Sequence, residues 1–159
     1  MSLSDGKTKE AESSIEKFKS LRKENLKSEA DIMTWLGWIY SGAETLDNAE
    51  EYYRKALSFQ PDSVYRKYNL AVFLILKDRS INEGVEILDQ IIKLYPQVLQ
   101  DYGFLDRYGW GLYKQGKYKE ALDILQKGWN LRREKAIYNH EAYLHLEAAK
   151  KAVAGQKTN

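Results

Sequence analysis

The feature that most constrains the fold is a pattern of small and aromatic residues that recurs at nearly constant spacing. The first copy consists of Leu36, Gly37, Tyr40, Ala49, Tyr53, Ala56 and Pro61. A second, more degenerate copy runs from Leu70 to Pro96, and a third runs from Tyr108 to Gly128. A period of this length predicts a stacked array of helical hairpins, in which each hairpin buries its apolar face against the next.

Composition favours an all-α chain and excludes several classes of function. The 159 residues are enough for one domain with a hydrophobic core, and both prolines fall between periodic segments. The net charge of +2, from 25 basic and 23 acidic residues, is too small to indicate nucleic-acid or anionic-membrane binding. Because the chain has no cysteine, disulfide and thiolate chemistry are excluded.

The hydropathy pattern predicts no membrane span. The longest apolar run, Leu70 to Leu76, is far shorter than the ~18 residues that a membrane helix needs. The N-terminus is polar and lacks the apolar segment of a secretory signal, so we expect a cytoplasmic protein.

Apolar periodicity, prolines and glycines predict where the helices begin and end. An amphipathic N-terminal helix is predicted at 9–26, paired helices at 29–41 and 47–59, 64–77 and 81–94, 100–115 and 118–131, and a final helix at 137–153. Residues 132–135 are predicted to form a basic connector. The predicted N-caps are Ser28, Asp47 or Asn48, and Asp62 or Ser63; Gly42 and Gly116 are predicted as left-handed C-terminal residues.

The repeated motif resembles that of the tetratricopeptide-repeat family, whose period is ~34 residues. The first copy carries Leu36-Gly37, an Ala–aromatic–Ala series and a closing Pro61, and the third carries the string from Tyr113 to Ala121. The resemblance implies an α–α superhelix (solenoid) of three hairpins, at about 30–63, 64–99 and 102–135. Capping helices are expected at 1–29 and 136–159. Extra residues near 78–82 and 97–100 lengthen the spacing before the third copy.

The resemblance also implies that the first helix of each pair lines a concave groove that binds a peptide or protein segment. Helix geometry places the following residues opposite the packed faces: Trp38 with Thr34 and Asp31, then Tyr65, Tyr68, Val72 and Ile75, then Asp106, Trp110 and Tyr113 with Lys114. The candidate groove residues are Trp38, Tyr65, Tyr68, Asn69, Arg107, Trp110 and Tyr113. Alternatively, these rings belong to the core, covered by the chain's own terminal helix. The N-terminal helix, with Ile15, Phe18 and Leu26, is one candidate cover.

Some members of the family hold the C-terminal carboxylate of a chaperone peptide in a clamp of five polar residues. Asn69 and Arg107 match two of these positions, but Thr34, Trp38 and Gly103 stand where the clamp has Lys, Asn and Lys. Because both lysines are missing, we do not expect this chain to bind a chaperone tail in that way.

No motif in the sequence indicates catalysis or a cofactor. His140 and His145 are five residues apart, which turns them away from a shared helix face and argues against a metal site. The sequence therefore predicts a non-catalytic interaction scaffold or adaptor with a protein or peptide partner. The alternatives are a homo-oligomerisation module, which would form a homodimer, and a helical accessory region of a larger enzyme or envelope protein.

Overall fold

The computed structural model describes residues 29–156 together with Ser13, and every regular element in this part of the chain is helical. The α-helices are α1 Glu29–Gly42, α2 Leu46–Phe59, α3 Val64–Leu76, α4 Ile81–Leu94, α5 Tyr102–Lys114, α6 Tyr118–Glu134 and α7 His140–Gln156. The predicted all-α class is confirmed. The predicted helix at 9–26 and its cap Ser28 lie outside the described residues. Within 29–156, no helix is both long and apolar enough to span a bilayer.

The chain divides between Phe73 and Leu74 into two compact units. In the first unit α1 packs along α2, because the two amphipathic helices share an apolar face. Ile32 and Leu36 form the centre of this contact, surrounded by Met33, Ile39, Tyr40 and Tyr52. The rings of Tyr40 and Tyr52 stack with their centroids 5.3 Å apart.

In the second unit α5 packs against α4 and α6, and α6 packs against α7. Leu125, Leu146 and Ala149 form a buried cluster between α6 and α7. A short 3-10 helix, Pro96–Gln100, precedes α5 and accommodates the extra residues that the sequence places there.

Helix α6 is longer than the sequence predicts. The expected basic connector at 132–135 is wrong, because residues 132–134 belong to this helix. The helix continues to Glu134 because Arg132 belongs to its packed face. Arg132 is buried, and its guanidinium carbon lies 4.4 Å from the ring centroid of Tyr102.

Four helix ends share one backbone motif. Glu44, Asp78, Gly116 and Ala136 have positive φ angles of 60°, 53°, 79° and 53°. After each of them, the next N–H donates to the carbonyl five residues back, as Thr45 does to Tyr40 at 3.0 Å. This is the Schellman arrangement, which satisfies carbonyls at the end of a helix.

The cap predictions are partly correct. Gly116 is the left-handed residue after α5, as predicted, whereas Gly42 is the last residue of α1 and the left-handed residue there is Glu44. The Ser63 hydroxyl accepts a hydrogen bond from the Arg66 N–H at the start of α3, as predicted.

The predicted N-cap of α2 is wrong. Thr45 occupies the cap position instead of Asp47 or Asn48, because its hydroxyl donates to the Tyr40 carbonyl and ties α2 to the end of α1.

Glycines of the repeated motif stand where side chains of the neighbouring helix come close. A Cβ on Gly37 would lie 3.0 Å from the Tyr53 ring, and one on Gly109 would lie 2.7 Å from Leu125 Cγ. A larger residue at either position would push the paired helices apart, because packed interiors leave no room for an added methyl group.

We expect Gly109→Ala to lower the free energy of unfolding by about 1–3 kcal/mol, because the new methyl group overlaps Leu125. Gly155→Ala is the matched control, since no atom lies within 4 Å of the Cβ that it adds. Urea unfolding followed by circular dichroism measures both variants. Equal stability of Gly109→Ala and the wild type would contradict this packing.

The cap geometry predicts opposite effects at two left-handed positions. Ala136→Gly should raise the free energy of unfolding by about 1 kcal/mol, and Gly116→Ala should lower it by a similar amount. Gly42→Ala should be neutral or stabilising, since Gly42 has an ordinary helical conformation and alanine is the better helix former. Thermal unfolding distinguishes these outcomes. A destabilised Gly42→Ala variant would indicate that Gly42, and not Glu44, is the left-handed residue at the end of α1.

Candidate functional site

The first unit contains an open pocket of about 290 Å³ whose walls are mainly aromatic. The described residues that line it come from three helices: Thr34, Trp35 and Trp38 of α1, Tyr53 of α2, and Tyr65 and Asn69 of α3. Of the candidate residues, Trp38, Tyr65 and Asn69 therefore lie together at this pocket. Tyr68 is half-buried and is not part of this lining.

Three rings form the exposed walls of the pocket. Trp35 and Trp38 lie one turn apart on α1, with ring centroids 6.2 Å apart and ring planes at 81°. They remain 51% and 66% exposed, and Tyr65 remains 60% exposed. Large aromatic side chains that stay this exposed are typical of surfaces that bind another molecule.

Tyr53 lies deeper in the pocket and is only 8% exposed. Its ring packs flat against the backbone of α1, where the missing side chain of Gly37 leaves room for it. Burial raises the pKa of the Tyr53 hydroxyl to about 12, with a smaller contribution from the nearby Tyr65. The phenol is therefore neutral at physiological pH.

A buried hydrogen-bond network lies beside the pocket and joins α1 to α3. Arg66 is 4% exposed, donates to the Thr34 hydroxyl at 2.9 Å and forms an ion pair with Asp31. Thr34 in turn donates to the Ala30 carbonyl at 2.9 Å. Thr34 lies on the pocket side of α1 with Trp38, as predicted, but it is buried because its hydroxyl is held between the helix backbone and the guanidinium group.

Asn69 places an unsatisfied amide group at the pocket. Its side-chain nitrogen is buried and has no hydrogen-bond partner among the described residues. A buried donor without an acceptor costs about 1–3 kcal/mol.

The other candidate residues lie in the second unit, where side chains of α7 contact them. The rings of Tyr113, Trp110 and His145 form a continuous stack, with centroid distances of 4.7 Å and 4.1 Å. Arg107 donates to Glu141 at 3.1 Å, so both Trp110 and Arg107 have partners on the last helix.

Two residues predicted to face outward are buried in the second unit. Asp106 is buried because its carboxylate accepts a hydrogen bond from the His145 ring at 3.0 Å. Ile75 is buried because it packs on Gly111, where an added Cβ would lie 3.0 Å from its Cδ1 atom. Helical periodicity gives the direction of these side chains but not the element that covers them.

Sequence reasoning missed Trp35 and Tyr53 as members of the pocket. Trp35 is not among the candidate residues that the sequence predicts, although its i, i+3 spacing to Trp38 puts the two rings on neighbouring positions. The sequence predicts Tyr53 only as a packed residue of the repeated motif. The motif does not indicate that one edge of this ring also lines a pocket.

The described residues contain no cluster of three His, Asp or Glu side chains arranged to hold a metal ion. His140 is exposed, whereas His145 is buried against Asp106. The two histidines thus have different surroundings.

Comparison with known proteins places the fold in one family. The family model for the tetratricopeptide repeat matches residues 30–63. The tetratricopeptide-repeat domain of Sgt2 from Aspergillus fumigatus superposes with a TM-score of 0.67 at 18% identity, covering 84% of each chain.

Two further structures agree with this fold. The first tetratricopeptide-repeat domain of Spaghetti (RPAP3), bound to the HSP90 peptide SRMEEVD, gives a TM-score of 0.63 at 18% identity over 79% of this chain and 94% of that one. MamA from AMB-1 gives 0.61 at 18% identity over 99% of this chain and 95% of that one. No curated protein matches the sequence significantly. The family model at residues 30–63 and these structures show that the chain has the fold of tetratricopeptide-repeat domains.

Proposed function

We propose that this protein is a non-catalytic interaction scaffold or adaptor that binds a peptide or protein segment at the pocket of its first unit. The observation that carries the proposal is the pocket itself, with three exposed rings beside an unsatisfied amide. Tetratricopeptide-repeat arrays present binding surfaces of this kind and seldom carry a catalytic site.

The chemistry of the pocket suits a polypeptide ligand. Trp35, Trp38 and Tyr65 offer apolar area with little conformational entropy to lose on binding, which is why such rings are enriched at binding hot spots. Tyr68 remains a candidate contact on the same helix as Tyr65.

In the second unit, Arg107, Trp110 and Tyr113 remain candidates for peptide contact. Arg107 already donates a hydrogen bond to Glu141, and one face of the Trp110 ring is already stacked on His145. A ligand there would meet only the surface that α7 leaves accessible. We therefore assign the main contribution to the first unit.

The Spaghetti domain bound to an HSP90 peptide supports peptide binding as the class of function, but it does not identify the peptide that this chain binds. That peptide is acidic at its C-terminus, whereas Thr34, Trp38 and Gly103 provide no cation in this chain. We expect a partner other than an acidic chaperone tail.

Trp38→Ala should weaken binding of the partner by about 2 kcal/mol or more, because it removes an exposed ring from the centre of the pocket. The partner is first identified by affinity capture and mass spectrometry, as a protein retained by the wild type and lost with the Trp38→Ala, Tyr65→Ala double variant. Its affinity for each purified variant is then measured by calorimetry.

Tyr138→Ala is the matched control, because Tyr138 is 68% exposed and is not among the residues that line this pocket. It should retain wild-type affinity. Unchanged affinity in Trp38→Ala, with its fold intact by circular dichroism, would refute the assignment. Light scattering over a concentration series reports whether the chain instead associates with itself.

A further inference from the structure

We propose that the pocket of the first unit is an aromatic cage for a trimethylated lysine side chain of the bound peptide. This inference rests on the proposed peptide-binding function and adds the chemical class that the pocket selects. It follows from the number and arrangement of the rings, the charge of the lining and the hydrogen bonds already made.

Four aromatic side chains surround the same space: Trp35, Trp38, Tyr53 and Tyr65. The two indole planes are nearly perpendicular, at 81°, so they form adjoining walls instead of one flat surface. Tyr53, whose ring face packs on Gly37, closes the deep side with its edge, and Tyr65 comes from a different helix. Ring faces carry negative electrostatic potential, so the faces of Trp35, Trp38 and Tyr65 around one volume attract a cation.

The lining distinguishes between kinds of cation. None of its described members is acidic, and its polar groups are the Thr34 hydroxyl, the Asn69 amide and the tyrosine hydroxyls. A primary ammonium group has three donors that would lose their hydrogen bonds to water here, with no carboxylate among the described lining residues to replace them. A trimethylammonium group has no N–H donors to desolvate and presents methyl groups to the rings. The pocket therefore favours the methylated form.

Thr34 and Arg66 do not oppose a bound cation. The Thr34 hydroxyl is already engaged, because it donates to Ala30 and accepts from Arg66. The Arg66 guanidinium lies 5.0 Å from the Tyr65 ring centroid, and its charge is offset by the ion pair with Asp31. Among the described lining residues, the rings supply the remaining field in the pocket.

The dimensions fit the group and its attachment to a peptide. The pocket volume of about 290 Å³ is roughly ten times the share of one water molecule in the liquid, which leaves room for a trimethylammonium head and part of its chain. The proposed peptide-binding function assigns the trimethylammonium group to a lysine side chain of the bound segment, in place of a free choline head group.

The test compares three small probes by calorimetry and by the tryptophan side-chain N–H signals in NMR spectra. They are N-acetyl-trimethyl-lysine amide, its neutral isostere with a tert-butyl group in place of trimethylammonium, and N-acetyl-lysine amide. We expect the cationic trimethyl probe to bind at least tenfold more tightly than either of the others. Equal binding of the trimethyl probe and its neutral isostere would show a merely apolar pocket and overturn the cage.

Variants separate the electrostatic attraction from simple burial. Trp38→Leu keeps an apolar wall but removes the ring face, so the tenfold preference for the cation should fall while the neutral isostere binds as before. In the wild-type sequence, replacing all tryptophans with fluorotryptophan should also lower the preference for the cation. The loss should grow with the number of fluorine atoms on each indole ring. Tyr138→Ala, outside the pocket, should change nothing. An unchanged preference in Trp38→Leu would contradict the proposal.

The remaining outcomes separate this inference from the proposed function. If choline binds as tightly as the trimethyl-lysine probe, the peptide source is wrong. If no probe binds but Trp38→Ala still loses the captured partner, the cage is wrong and the peptide-binding function stands. If the trimethyl probe binds with the expected preference while Trp38→Ala keeps its partner, the cage stands and the proposed partner site is wrong.

Discussion

The contact between Gly37 and the Tyr53 ring is the constraint on which the first unit depends. With no side chain at Gly37, the ring lies flat on the backbone of α1 and holds the two helices close together. The same ring meets Phe73 of α3 at a centroid distance of 5.1 Å, which continues the packing to the next helix. Its outer edge reaches the pocket, so one glycine determines both the hairpin spacing and the depth of the candidate site.

The two units use similar aromatic faces differently. In the first unit, Trp38 and Tyr65 face an open pocket. In the second unit, the Trp110 ring stacks on His145 and Arg107 pairs with Glu141, both residues of α7. The alternative that a terminal helix covers the rings thus describes part of the second unit, whereas the pocket of the first unit remains the stronger candidate for a partner.

Hydrogen-bond satisfaction decides which polar residues are available for binding. Arg66 and Asp31 form an ion pair, and Thr34 bridges Arg66 and a helix carbonyl, so this network stabilises the orientation of α1 and α3. The buried Asn69 amide nitrogen has no such partner in the described part of the chain. In the proposed function, a pocket of neutral rings binds its ligand through shape and π-electron density, in contrast to a cluster of lysines.

The sequence by itself determined the all-α class, the paired helices and most of their ends. Apolar periodicity predicts each helix, and Pro61 and Pro96 predict where two helices end. Both signals depend only on residues close together in the chain, so the sequence alone reveals them. Tertiary structure decided which helix faces are covered: Asp106 became buried through a residue 39 positions away. It also brought Trp35 into the pocket beside side chains of two other helices. Such contacts depend on how distant helices pack, and spacing within one helix carries no record of them.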